Sequence, residues 1–181
     1  MCYTWATLLY ARAISHAVLG NIELAKQEEE QFIEAIKHPA MKGRRLHNNM
    51  ALDLLAVKAR MLRGEILYRC GEFEKAYAQL RIAVDMEDAL PYDEPWGIMQ
   101  PCRHALGALL LEQNYLDEAI QVYKDDMMPG RHPENPWSLR GLLNCYEKMN
   151  ETNLAKDVRS RLAKQQDRCG STSKQIKHSC M

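Results

Sequence analysis

A chain of 181 residues, 46% hydrophobic and 27% charged, is long enough to bury a core and ordinary in composition for a folded domain. Its 24 basic and 24 acidic residues cancel, so the balance offers no basic surface for nucleic acid or an anionic membrane. No apolar run reaches bilayer length, and the opening "CYTWATLLYARAISHAV" lacks the basic head and small-residue cleavage site of a secretory leader; a cytoplasmic protein is expected.

Apolar periodicity predicts helices near 3–19, 21–37, 47–70, 72–88, 100–113, 115–127, 137–149 and 151–167, and no strand. The helices pair through a recurring frame. "ARAISHAVLGNIELAKQEEEQFIEAI" sets Ala13, Gly20, Ile22 and Ala25, and "GEILYRCGEFEKAYAQLRIAV" sets Gly64, Gly71, Phe73 and Ala76. "GALLLEQNYLDEAIQVYKDDM" repeats the frame with Gly107, Asn114, Leu116 and Ala119; "LNCYEKMNETNLAKDVRSRLA" keeps Asn150 and Ala155. Gly and Asn tolerate the left-handed backbone that ends a helix, and small residues let antiparallel helices approach closely, so each copy reads as a helical hairpin.

Between copies the frame is stretched. Ala25 to Ala76 spans 51 positions, Ala76 to Ala119 spans 43 and Ala119 to Ala155 spans 36. The largest insertion falls in "KHPAMKGRRLHNNMALDLLAVK", read as a loop followed by a lengthened helix, and the next in "YDEPWGIMQPCRHALG". There Asp93 and Glu94 read as turn and capping residues, Trp96 and Trp137 as rings covering neighbouring hairpins, and Pro101 as either the start of a helix or a kink in one begun near Pro95. In "DRCGSTSKQIKHSCM" the apolar period is lost, so residues 1–167 are expected to form the helical repeat domain and 168–181 a flexible tail. Cys180 is not four residues from the end, which excludes a prenylation box.

These hairpins resemble the tetratricopeptide repeat, whose period is about 34 residues and whose hairpins stack into a superhelix with a concave face. More specifically, "LPYDEPWGIMQPCRHALGALLLEQ" and "HPENPWSLRGLLNC" resemble the C-terminal part of a group of larger tetratricopeptide-type proteins of bacteria and fungi, over nearly the whole chain. The ending "IKHSC" resembles that group's tail, which carries a further cysteine where this chain stops at Met181. The resemblance implies an all-α, TPR-like α-solenoid of about four antiparallel helical hairpins with lengthened inter-repeat connections. It implies further repeats upstream and no assigned reaction.

In such solenoids the first helix of each hairpin lines the groove. That frame selects Lys58, Met61, Glu65, Tyr68 and Arg69, then His104 and Glu112, then Trp137, Arg140 and Asn144. Mixed polar, basic and aromatic side chains of this kind suit a peptide or helix, so a protein partner is expected; a homodimer or additional repeats fit the same architecture. Arg140 and Asn144 have the spacing of a carboxylate clamp, but Met61 with Glu65 and His104 with Ala108 occupy the earlier copies, which breaks it.

Enzymatic signatures are sparse. The six cysteines, Cys2, Cys70, Cys102, Cys145, Cys169 and Cys180, include no CxxC pair and are expected as reduced thiols. Cys102 and His104 lie two apart on a helix and point in different directions, and there is no phosphate-binding glycine loop, zincin motif or nucleophile elbow. The expectation is a non-enzymatic interaction module without a cofactor. The alternative is a metal-dependent enzyme or metal sensor near the third and fourth hairpins, using His104, His132, Cys145 and Cys180.

Overall fold

Eight α-helices are present among the described residues, 2–93, 97–98 and 100–169, of the computed structural model. They are α1 (Cys2–Val18), α2 (Ile22–Ile36), α3 (Ala51–Arg69), α4 (Phe73–Asp88), α5 (Cys102–Glu112), α6 (Leu116–Asp126), α7 (Pro136–Lys148) and α8 (Thr152–Cys169). Consecutive helices are in contact as pairs, consistent with four helical hairpins. None is long and apolar enough to cross a membrane.

One turn chemistry makes all four pairs. Gly20, Gly71, Asn114 and Asn150 have φ of +80°, +80°, +62° and +60°, the left-handed backbone expected at these positions. In each case the next residue's N–H reaches back five residues: Asn21 to His16 O at 2.8 Å, Glu72 to Leu67 O, Tyr115 to Leu110 O and Glu151 to Tyr146 O, all three at 2.9 Å. This bond satisfies a helix-end carbonyl and reverses the chain within three residues. The alanines of the repeating frame, Ala25, Ala76, Ala119 and Ala155, are all buried on the second helix of each pair.

The chain divides into two compact units, Met1–Cys102 and Arg103–Met181. In the first, Ala6, Leu9, Ala13, Ala25, Phe32, Leu55, Leu62 and Ile66 form a core shared by α1, α2 and α3. Polar ties reinforce it. Arg12 pairs with Glu28 across the first hairpin, and Arg63 with Glu29 at 3.2 Å joins α3 to α2. Gly64 permits the close approach of α4: a Cβ there would lie 2.7 Å from Leu80 Cγ.

The first insertion departs from the expected elements. A 3-10 turn at Pro39–Met41 is followed by two paired strands, β1 (Arg45–Leu46) and β2 (Asn49–Met50), where no strand was expected, and α3 starts at Ala51 rather than near 47. Two residues per strand are too few to show alternation, and His47, at φ +52°, makes the reversal. The two insertions meet. The Asn48 side-chain amide donates to Tyr92 O at 2.8 Å, and that of Asn49 donates to Pro91 O at 3.1 Å and Asp93 Oδ2 at 3.2 Å. Asp93 is thus a buried tie. Gly97, Ile98 and Gln100 are not helical, so Pro101 directly precedes α5 and kinks nothing. At the other end, α8 runs to Cys169, two residues beyond the expected limit of the folded domain; residues 170–181 lie outside the described ones.

In the second unit, Tyr123 of α6 is fully buried between two glycines. A Cβ on Gly107 of α5 would lie 2.7 Å from the ring, and one on Gly141 of α7 would lie 2.1 Å from Tyr123 Cζ. The missing side chains make the slot into which the phenol fits. Lys148, at the end of α7, donates to Leu111 O at 3.3 Å and to Asn114 Oδ1 at 2.8 Å, and so fastens α7 to the α5–α6 turn. Gly141→Ala is therefore expected to destabilise the protein by about 1–3 kcal/mol in chemical denaturation, because a fully buried ring flanked on both sides has nowhere to move. An unchanged midpoint would show that the slot is not tight.

Candidate functional site

Asp126 is the last residue of α6, where a carboxylate opposes the helix dipole and needs other partners to be stable. It finds them on three elements. His104 Nε2, from the first turn of α5, lies 3.0 Å from Oδ2; His132 Nδ1, from the loop before α7, lies 2.7 Å from Oδ1; and Ser138 Oγ, in the first turn of α7, donates to Oδ2 at 2.5 Å. The loop is further pinned by His132 N–H to Asp126 O at 2.9 Å and Arg131 Nη1 to Asp125 O at 2.8 Å. Asn135 then caps α7, accepting from Trp137 N–H at 2.7 Å, with Pro136 at the first helical position.

The cluster is buried. His104 and Asp126 are each 1% exposed and Ser138 is fully buried, whereas the His132 side chain keeps 14% of its surface open. Burial alone would raise the Asp126 pKa, but hydrogen bonds from His104 and His132, the charge of His104 and the Ser138 hydroxyl outweigh it and hold the carboxyl well below its ordinary range. An ionised carboxylate accepts only, so both rings present N–H to it. His104 Nδ1, on the other side of its ring, is buried with no hydrogen-bond partner among the described residues. One ligand atom each from His104, Asp126 and His132 lies within 4.8 Å of the other two.

The expected partner-binding residues distribute differently. In the first unit, Lys58, Met61, Glu65 and Tyr68 are buried. Lys58 donates to the hydroxyls of Tyr3 at 3.3 Å and Thr7 at 3.4 Å on α1, and burial lowers its pKa. Glu65 is paired with Arg69 at 2.7 Å, and Tyr68 packs edge-on against Phe73. Arg69 remains part-exposed. In the second unit His104 is buried, Trp137, Arg140 and Asn144 are part-exposed, and Glu112 is exposed.

Of the alternative metal set, His104 and His132 are brought together, and Asp126 takes the place between them. Cys145 is buried, and desolvation, partly offset by Lys148, pushes its thiol up to about 11, so it is a neutral packing group near pH 7. Cys180, like Glu94 and Trp96, lies outside the described residues. Asp126 and Ser138 were not selected from the sequence. The available signal was the acid at a helix C-terminus in "KDDMMPGRHPENPWS", six residues before a histidine and twelve before a serine at a helix start.

No family, curated protein or solved structure matches this chain.

Asp126→Ala would leave the His104 ring and the Ser138 hydroxyl buried without their acceptor, and is expected to cost about 3 kcal/mol or more. The native carboxyl has a depressed pKa, so its stabilisation is complete above the ordinary value of 3.8 and is lost as the pH falls from there toward its own lower value. Denaturation of wild type and variant across that acid range should show the difference shrinking as the pH drops. A difference that grew on acidification would contradict the assignment.

Proposed function

We propose that the chain is a non-enzymatic protein-interaction module of tetratricopeptide-like architecture. The observation that carries this reading is the outer face of α1. The first helix of the second hairpin is covered by α1, as Lys58 with Tyr3 and Thr7 illustrates, whereas α1 itself carries large apolar side chains in solvent. Trp5 is 49% exposed and Leu8, one turn on, 47%. Burying such a pair yields free energy that no contact among the described residues collects.

Beside Trp5 lies a cleft of about 510 Å³ whose walls include Cys2, Glu34, Ala35, Lys37 and Pro39. An aromatic rim, an apolar floor and one charge of each sign suit an apolar anchor residue on a partner's helix or extended segment. In the second unit, part-exposed Trp137, Arg140 and Asn144 on α7 supply another mixed aromatic and polar surface of the type that proteins grip. Asp93 is tied to Asn49, and Cys102 and Cys145 are buried, an arrangement that suits packing.

The double variant Trp5→Ser, Leu8→Glu, used as bait in cell extract, is expected to lose its specific protein partners by about tenfold or more in affinity, the scale of an interface hot spot. Its thermal unfolding should stay close to wild type, because both side chains face solvent. Identical partner recovery by variant and wild type would sink the α1 face as the contact surface.

A further inference from the structure

We propose that His104, Asp126 and His132 form a binding site for a divalent transition ion of the zinc class, with Ser138 positioning the carboxylate. Two imidazole nitrogens and one carboxylate oxygen are the donor set of three-ligand zinc sites that keep a fourth position for water. Magnesium and calcium require more oxygen donors than this cluster offers. His104 Nε2 stands 3.0 Å from one carboxylate oxygen and His132 Nδ1 2.7 Å from the other, and with a single oxygen counted the three ligand atoms lie within 4.8 Å of one another, against a spacing of about 3.3 Å between ligands bonded tetrahedrally at zinc–nitrogen lengths. Small ring movements therefore convert a set of hydrogen bonds into a coordination sphere.

Two features favour that exchange. The carboxylate holds the two rings on different oxygens, so an ion entering between them meets both histidines. Coordination requires each ring to carry its proton on the other nitrogen, His104 at Nδ1, which makes no hydrogen bond among the described residues, and His132 at Nε2. Ser138, holding Oδ2 at 2.5 Å, fixes the carboxylate as an outer-shell partner does in metal sites, and the open flank of His132 gives an ion a side of entry.

The test uses the full chain without a histidine tag, titrated with Co²⁺ as the spectroscopic probe and loaded separately with Zn²⁺. Cobalt should saturate at one ion per chain with the visible absorption of a four-coordinate site. X-ray absorption at the zinc edge should show nitrogen and oxygen neighbours at about 2.0–2.2 Å and no sulfur. His132→Asn should weaken cobalt uptake by about 100-fold or more. Ser138→Ala, which keeps all three ligands, should weaken it by about 10- to 100-fold. Circular dichroism checks that both variants fold, and the zinc-edge measurement on wild type decides the matter should either fail to. Trp5→Ser, Leu8→Glu should bind cobalt as wild type does, so the outcome is independent of the α1 surface. Absence of saturable uptake, a sulfur shell at zinc, or wild-type affinity in folded His132→Asn would each overturn the site.

Discussion

The second unit depends on one carboxylate being kept charged while buried from solvent. Asp126 is 1% exposed, and an isolated charge there would be costly enough to unfold or neutralise the group. It persists because three hydrogen-bond donors converge on it from α5, from the loop before α7 and from the first turn of α7. The same bonds fix how these elements meet. Since α6 ends at Asp126, removing the charge would release the helix end, the loop and the two histidine rings together, which makes the cluster a unit rather than a set of separable contacts.

Around it the architecture is built by subtraction. Gly107 and Gly141 withhold side chains so that Tyr123 can lie between α5 and α7, and Gly64 does the same for Leu80 in the first unit. The hairpin turns apply that economy to the backbone, with Gly or Asn supplying positive φ where the chain reverses. Packing of this kind sets the distance between helices as firmly as large side chains do, and it places His104, three residues before Gly107, on the turn of α5 that reaches Asp126.

The hairpins were legible in the sequence because their information is local. A stop residue, an apolar period and a buried alanine recur in register, and the eight observed helices lie within a few residues of those read from the pattern. The insertion at 38–50 was less legible, since its two-residue strands are held by Asn48 and Asn49 to residues more than forty positions away. Periodicity carries no trace of such a tie. The candidate site is legible in part: His104 and His132 are donors in the sequence reading, but Asp126, which joins them, is marked there by no motif or spacing. Assigning Lys58, Glu65 and Tyr68 to a groove was a register argument, and register does not say which first-helix side chains the neighbouring hairpin covers.

The central claim is that Asp126 is an ionised acceptor for both rings, and it fixes where each imidazole carries its proton. A long-range proton–nitrogen spectrum of the metal-free protein near neutral pH, with His104 and His132 assigned, reads this directly. A proton on His104 Nε2 and on His132 Nδ1, both protected from solvent exchange, is the predicted result. A neutral His104 ring protonated only at Nδ1, or a His132 ring protonated only at Nε2, would contradict it.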